Sequence, residues 1–269
     1  MSGDPAGDRK LIREELYNAR GWKISPVLRL SIYITWLPLF IIAILILTAS
    51  LIAPVFLVRW VLGIYDGATG IMFFDLVILS ASIGASYIIF GLGLLLFGGM
   101  LKRVLDPFFG LKEGEYPFIS TTSGYWSVVN GIILFNRQFF LELTRTTFLV
   151  IMFYRLLGMK IGKGTLINSS FIYDPDFVSI GRNVTIGGDA LILGHVGERG
   201  VLKLKNTIIE DNVDIGQSAV VLSGVRIGKG SVIGALSIVT KDTVIPPYEI
   251  WAGIPARRIG RLRPPSTRS

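Results

Sequence analysis

The stretch LILGHVGERGVLKLKN, residues 191–206, carries the only histidine of a 269-residue chain that has no cysteine. An imidazole suits proton transfer near neutral pH when one ring nitrogen is held and the other is left free as a base. A carboxylate is the usual holder, and Asp174-Pro175-Asp176 lies upstream. Standing alone, a histidine is ordinarily structural, so the fold around His195 decides its role. Other chemistries fall away on composition. Without cysteine there is no thiolate nucleophile, disulfide or sulfur-ligated zinc, and one histidine cannot furnish a three-histidine zinc site, so no metal is expected.

What positions His195 is a repeat. Large apolar residues fall at every sixth position: Ile209, Ile215, Val221, Ile227, Ile233, Val239, Ile245 and Trp251. A helix would repeat at 3.6 and a strand at 2, whereas a period of six fits a β-helix of short strands and turns, three hexapeptides to a coil. The same register reads through Ile161, Ile167 and Tyr173, slips by one residue, and resumes at Ile180, Ile186 and Ile192. Eleven residues, Glu198 to Ile208, then interrupt it; part should form a strand and the part near GERG should loop out. About five coils result, roughly 24 Å tall at the spacing of neighbouring strands. Stacking places Asp176 one layer beneath His195 as its expected partner, with Asp174 close enough to serve instead; the alternative is that the Asp-Pro-Asp segment is only a turn. A β-helix this short, with partly apolar flat faces, is expected to associate with copies of itself.

The first part of the chain is of another kind. Residues 30–58 and the core of 76–101 are uncharged and exceed the roughly 20 residues a bilayer-spanning helix requires, so two transmembrane helices are expected within residues 30–103. Arg9, Lys10, Arg13, Arg20, Lys23 and Arg29 precede the first, Lys102 and Arg103 follow the second, and the loop between holds only Arg59. This bias puts both termini, including the basic segment 1–29, and the C-terminal domain in the cytoplasm of a cell membrane. Residues 104–158 form a linking segment. Its apolar run, broken by Arg137, Glu142 and Arg145, reads as an amphipathic helix in the membrane interface, or else as a helix packed on the domain. The net charge of +8 gathers beside the apolar segments and in the tail 261–269, which favours membrane lipids over nucleic acid as a partner.

The stretch IGKGSVIGALSIVTKDTVIPPYEIWAGIPARRIG, residues 227–260, resembles the C-terminal signature of the hexapeptide-repeat, left-handed β-helix acyltransferases, and GHVGERGVLKLKNTIIEDNVDIGQ is similar to the histidine loop of galactoside-type acetyltransferases. The resemblance covers 159–260. It implies a homotrimer, acetyl-CoA bound in the groove between neighbours, His195 as general base, CoA contacts at Gln217, Ala235, Thr240, Lys241 and Arg257, and Arg258 or Arg261 near the phosphates. Two positions depart from the pattern: Asp214 stands where the family usually has tryptophan, and the first-coil residue that would bind a sugar falls at Leu166 or Ile167. LKRVLDPFFGLKEGEYPFISTTSGYW with FYRLLGMKIGKG also resembles the membrane-embedded region of poly-lysine synthetase-type peptide synthetases. The expected activity is acyl-CoA-dependent O- or N-acyl transfer to a membrane-associated acceptor, such as a lipid-linked one. The alternatives are a carrier-protein donor, amide formation, or a non-catalytic trimeric scaffold.

Overall fold

A computed structural model describes residues 26–64 and 72–264, with side chains from residue 41 onward. Residues 1–25 of the basic segment expected at 1–29, the loop 65–71 and residues 265–269 of the tail lie outside the described residues. Two long helices come first, α1 (Pro26–Ile64) and α2 (Met72–Phe109), each long and apolar enough to cross a membrane. Large apolar side chains such as Ile52, Phe56, Trp60, Phe73 and Ile83 stand exposed on them, an arrangement water disfavours and lipid tolerates. The second helix continues past the expected boundary at 103 to Phe109.

The six-residue period produces the expected parallel β-helix, because every sixth side chain turns into the prism axis. One face stacks Ile161, Ile180, Ile209, Ile227 and Ile245. The second stacks Ile167, Ile186, Ile215, Ile233 and Trp251, and the third Ile172, Ile192, Val221 and Val239. Glycine follows many of these residues for a steric reason: a Cβ on Gly187 or Gly216 would sit 2.6 or 2.4 Å from the backbone nitrogen of the next coil. An antiparallel strand, Arg257–Arg261, closes the last coil against Glu249–Ala252.

The register differs from expectation in the first coil. Ile172 pairs with Ile192 and is fully buried, while Tyr173 is only partly covered, so the slip begins one residue earlier than the apolar spacing indicates. The larger apolar surface of tyrosine is outweighed by the phenol oxygen, which has no partner along the prism axis.

Residues 104–158 do more than link. Gly114–Pro117 is a strand, α3 spans Thr121–Phe139, a 3-10 turn covers Leu141–Thr144, and α4 spans Phe148–Leu156. Ser120 and Thr147 cap the two helices through hydrogen bonds to the amides of Ser123 and Leu149. The apolar faces of α3 and α4 (Val129, Ile132, Ile133, Val150, Phe153) are buried, joining Leu94 and Leu95 of α2 to the β-helix interior in one continuous core. Both helices therefore pack on α2 and the β-helix through these faces. Arg145 reaches Asp189 at 2.6 Å, and Glu142 accepts from the Ser170 hydroxyl, pinning the turn to the coils.

Ile186, with no exposure and a stacked neighbour above and below, tests this core. Ile186→Ala is expected to lose roughly 2–5 kcal/mol, read as a lowered thermal midpoint in detergent, whereas exposed Leu166→Ala on the neighbouring coil should change it little.

Candidate active site

The insertion after the second coil folds as a hairpin, His195–Glu198 against Val201–Leu204. Arg199 and Gly200 both adopt positive φ, 50° and 79°, as a two-residue turn joining twisted strands demands. The strand Gly114–Pro117 pairs with the outer edge of Val201–Leu204 and steadies the hairpin. His195 opens the hairpin at its base, where the backbone leaves the prism.

Behind it lies Asp174, whose side chain is fully buried. Its Oδ2 is 2.6 Å from His195 Nδ1 and accepts the Gly194 amide at 2.8 Å. Its Oδ1 accepts from Trp126 Nε1 at 2.7 Å and Asn130 Nδ2 at 3.0 Å. Asn130 Oδ1 in turn receives the Asp174 amide at 3.2 Å, so this asparagine reads both ends of the residue. The Trp126 ring meets the imidazole edge-on, centroids 4.8 Å apart. A carboxylate this close to Nδ1 keeps the proton on that nitrogen and leaves Nε2 with its lone pair. The histidine side chain is 23% exposed, enough for that second nitrogen to meet a substrate.

The structure selects Asp174 and not Asp176 as the partner. Pairing of Ile172 with Ile192 sets Asp174 beside Gly194, and a positive φ of 58° turns its side chain under the ring. Asp176 instead meets Lys102 of α2 at 2.8 Å. Lys102 is almost wholly buried and also binds Asp106, to which Tyr125 donates at 2.5 Å. Burial pushes the Asp176 carboxyl up, against the pull of Lys102. Burial first, then the Asp106 carboxylate, push the Tyr125 phenol far above its usual range and keep it a hydrogen-bond donor.

The expected donor-binding residues fall into three places. Lys241 lies on the same corner of the prism as the hairpin and meets Glu198, at the far end of the strand that His195 opens, at 2.5 Å; this contact holds the Glu198 carboxyl below its usual range. Thr240 beside it shares a hydrogen bond with Thr243. Gln217 and Ala235 occupy the corner between the second and third faces, away from the histidine, where the Gln217 carbonyl accepts the Leu236 amide. Arg257 and Arg258 stand exposed on the closing strand, Arg258 paired with Glu249. Sequence reasoning missed Trp126, Asn130 and Lys102. The only trace of the first two is their i, i+4 spacing on one face of α3, which says nothing about a carboxylate distant in the chain. Among the described residues no cluster of potential metal ligands occurs.

Residues 206–241 match the family model described as the hexapeptide repeat of succinyl-transferase. Galactoside O-acetyltransferase of Lactococcus lactis is 37% identical over 130 residues, 44% of this chain and 62% of that protein. Delta-poly-L-ornithine synthetase of Acinetobacter baumannii is 29% identical over 162 residues, 60% of this chain and 12% of that protein. The chain thus spans less than two thirds of the length of either relative. Among solved structures, a hexapeptide-repeat acetyltransferase of Vibrio cholerae complexed with acetyl-CoA is 30% identical, covering 39% of this chain and 61% of that one, with a TM-score of 0.37.

Gly194 is the tightest point of the site: a Cβ there would lie 2.6 Å from that of Phe177 and 2.9 Å from that of Asp174. Gly194→Ala should push the chain off Asp174, weaken the carboxylate–imidazole contact, and move the His195 ring resonances in an NMR pH titration. Unchanged resonances would show that the contact does not depend on this close approach.

Proposed function

We infer, from a parallel β-helix that matches a hexapeptide-repeat model over residues 206–241, from its similarity to a galactoside O-acetyltransferase and from the buried carboxylate behind its only histidine, that this chain is a left-handed β-helix, acyl-CoA-dependent O- or N-acyltransferase, with acetyl-CoA as the donor. The Asp174–His195 pair is the observation that carries the reading. His195 Nε2 takes the proton of an acceptor hydroxyl or amine while that oxygen or nitrogen forms its bond to the acyl carbon, and returns the proton to the thiolate that leaves. Asp174 holds the ring in its tautomer and stabilises the imidazolium formed midway, as an orienting carboxylate does without itself taking the proton. Lys241, on the corner that carries the hairpin, would meet the donor there, and Gln217, Ala235, Thr240 and the exposed Arg257 and Arg258 complete the set of donor contacts. Because Thr240 and Lys241 lie on one corner of the prism and Gln217 and Ala235 on another, a homotrimer that sets one corner against the next subunit's other corner would unite them. Exposed Leu236, Val244, Ile254 and Ile259 on the β-helix give such an assembly apolar surface to bury.

The acceptor is membrane-associated in this reading. Both long helices cross a membrane, with the termini and the catalytic domain on the cytoplasmic side. A groove of about 650 Å³ opens between them and α3, lined by Ile42, Leu105, Phe109, Phe118 and Val128. Phe118 also lies against Gly197, two residues beyond the histidine, so an apolar chain in this groove would leave its polar head beside the base. One observation favours amide formation as a second reading: similarity to the poly-ornithine synthetase runs over more residues than the β-helix contains, so it includes part of the helical region.

Calorimetry with acetyl-CoA on detergent-purified protein tests the donor. Wild type should bind, Lys241→Ala should bind more weakly, and His195→Ala should bind as wild type does yet transfer labelled acetyl to a membrane lipid extract roughly 10²–10⁴-fold more slowly. Absence of binding by the wild type would remove the CoA-dependent reading and leave a carrier-protein donor or a scaffold.

A further inference from the structure

A second, unrelated pocket of about 480 Å³ lies where α2, α4 and the first turn of the β-helix meet. Three cations from these three elements converge on it: Arg103 from the end of α2, Arg155 from α4, and Lys163 from the turn after Ile161. No carboxylate lines it, and among the described residues none of the three is ion-paired. Lys102, Arg145, Arg182, Lys203, Lys205, Arg226, Lys241 and Arg258 each meet an acidic partner, whereas Lys112, Lys160, Lys229 and Arg257 have no ion pair among the described residues; what sets Arg103, Arg155 and Lys163 apart is that they line one pocket together. Arg103 Nε donates to the Leu156 carbonyl at 3.3 Å, and Arg155 Nη2 donates to that of Ile161 at 2.8 Å. Those bonds fix both guanidinium groups while leaving other N–H donors of each fork free.

The remaining wall is apolar. Phe148, 73% exposed, stands with Ile151, Met152 and Leu156 beside the cations. Val104 and Phe108, on the same end of α2 as Arg103, are also exposed. A site for a small soluble anion has no use for this surface, whereas an amphiphile with an anionic head uses both parts. Arg103 closely follows the uncharged run of α2, at the depth where headgroups begin if that helix crosses a bilayer. Basic pockets at the cytoplasmic ends of membrane helices are suited to lipid phosphate, and arginine forks match it in bidentate geometry.

We propose that Arg103, Arg155 and Lys163 form a binding site for the phosphate of an anionic phospholipid, whose acyl chains lie along Phe148, Ile151 and Met152. The site rests on the reading that α1 and α2 cross a membrane, but it is independent of the catalytic histidine, which occupies a different corner of the prism. Arg155 also holds the first rung through Ile161, so an occupied site fixes the height of the β-helix above the lipid surface.

The full chain in nanodiscs of phosphatidylcholine, with and without phosphatidylglycerol, provides the test, with retained phosphatidylglycerol counted by native mass spectrometry. Wild type should retain it, and an Arg103→Gln, Arg155→Gln, Lys163→Gln variant should bind it roughly 100-fold more weakly, at about fivefold per charge. Lys163→Glu, which removes no hydrogen bond of the fold, should reproduce a large part of the loss and guards against misfolding of the triple variant. A charge-matched control, Lys112→Gln, Lys229→Gln, Arg263→Gln, should retain the lipid. Equal loss in the control would overturn the site in favour of diffuse charge attraction, and unchanged binding in Lys163→Glu would overturn it outright. Displacement by millimolar inorganic phosphate would overturn the lipid as the ligand. Release of the protein from vesicles by alkaline carbonate would overturn the membrane reading and the lipid with it, a failure distinct from the others.

Discussion

A carboxylate removed from water is costly unless its lone pairs are answered, and Asp174 is answered by four partners drawn from two parts of the chain. Gly194 and His195 come from the coil above it. Trp126 and Asn130 come from α3, so the acid can be buried only when α3 is docked on the first coils. Docking of α3 in turn requires the apolar contact with α2 that joins Leu94 and Leu95 to Ile132 and Ile133. The pairing of one aspartate with one histidine therefore ties the long apolar helices, the linking segment and the β-helix into a single arrangement.

The Lys102 cluster enforces the same arrangement from the other side of the Asp-Pro-Asp turn. A buried ammonium with two carboxylates is a poor source of net stability, but removing one partner leaves a charge in an apolar setting. Such a cluster penalises misregistry between α2 and the first coil more than it rewards correct docking. Since Asp176 is two residues from Asp174, a shift of α2 along its axis would be felt at the histidine with very little chain between.

The β-helix was legible in the sequence because its cause is local and repeated: each sixth residue meets its equivalent one coil away, and the glycines follow from backbone closeness that the repeat itself creates. The hairpin was legible as an interruption of that repeat. What spacing could not resolve was the first coil, where Ile172 and Tyr173 are both apolar enough to point inward. A choice of one residue there exchanges Asp176 for Asp174 as the partner. Trp126 and Asn130 were illegible for a different reason. Their role comes from docking of a helix against a distant turn, and no periodicity within α3 encodes the position of a carboxylate 44 or 48 residues further along.

The placement of histidine at the base of the hairpin, and not at its tip, follows from the same demand for precision. At the tip a side chain would inherit the motion of a two-residue turn, whereas at the base it is fixed by the prism on one side and by Trp126 on the other. The hairpin beyond it is held by the strand Gly114–Pro117, by the burial of Leu202 and Leu204 with Phe177, Tyr116 and Trp126, and at its end by the exposed contact of Glu198 with Lys241. That exposed contact is the kind of ion pair that contributes little to stability and is readily exchanged for another partner. An anionic donor arriving at Lys241 would compete with Glu198 for the ammonium and loosen the hairpin at its end, while His195 and Asp174 stayed where the buried hydrogen bonds hold them.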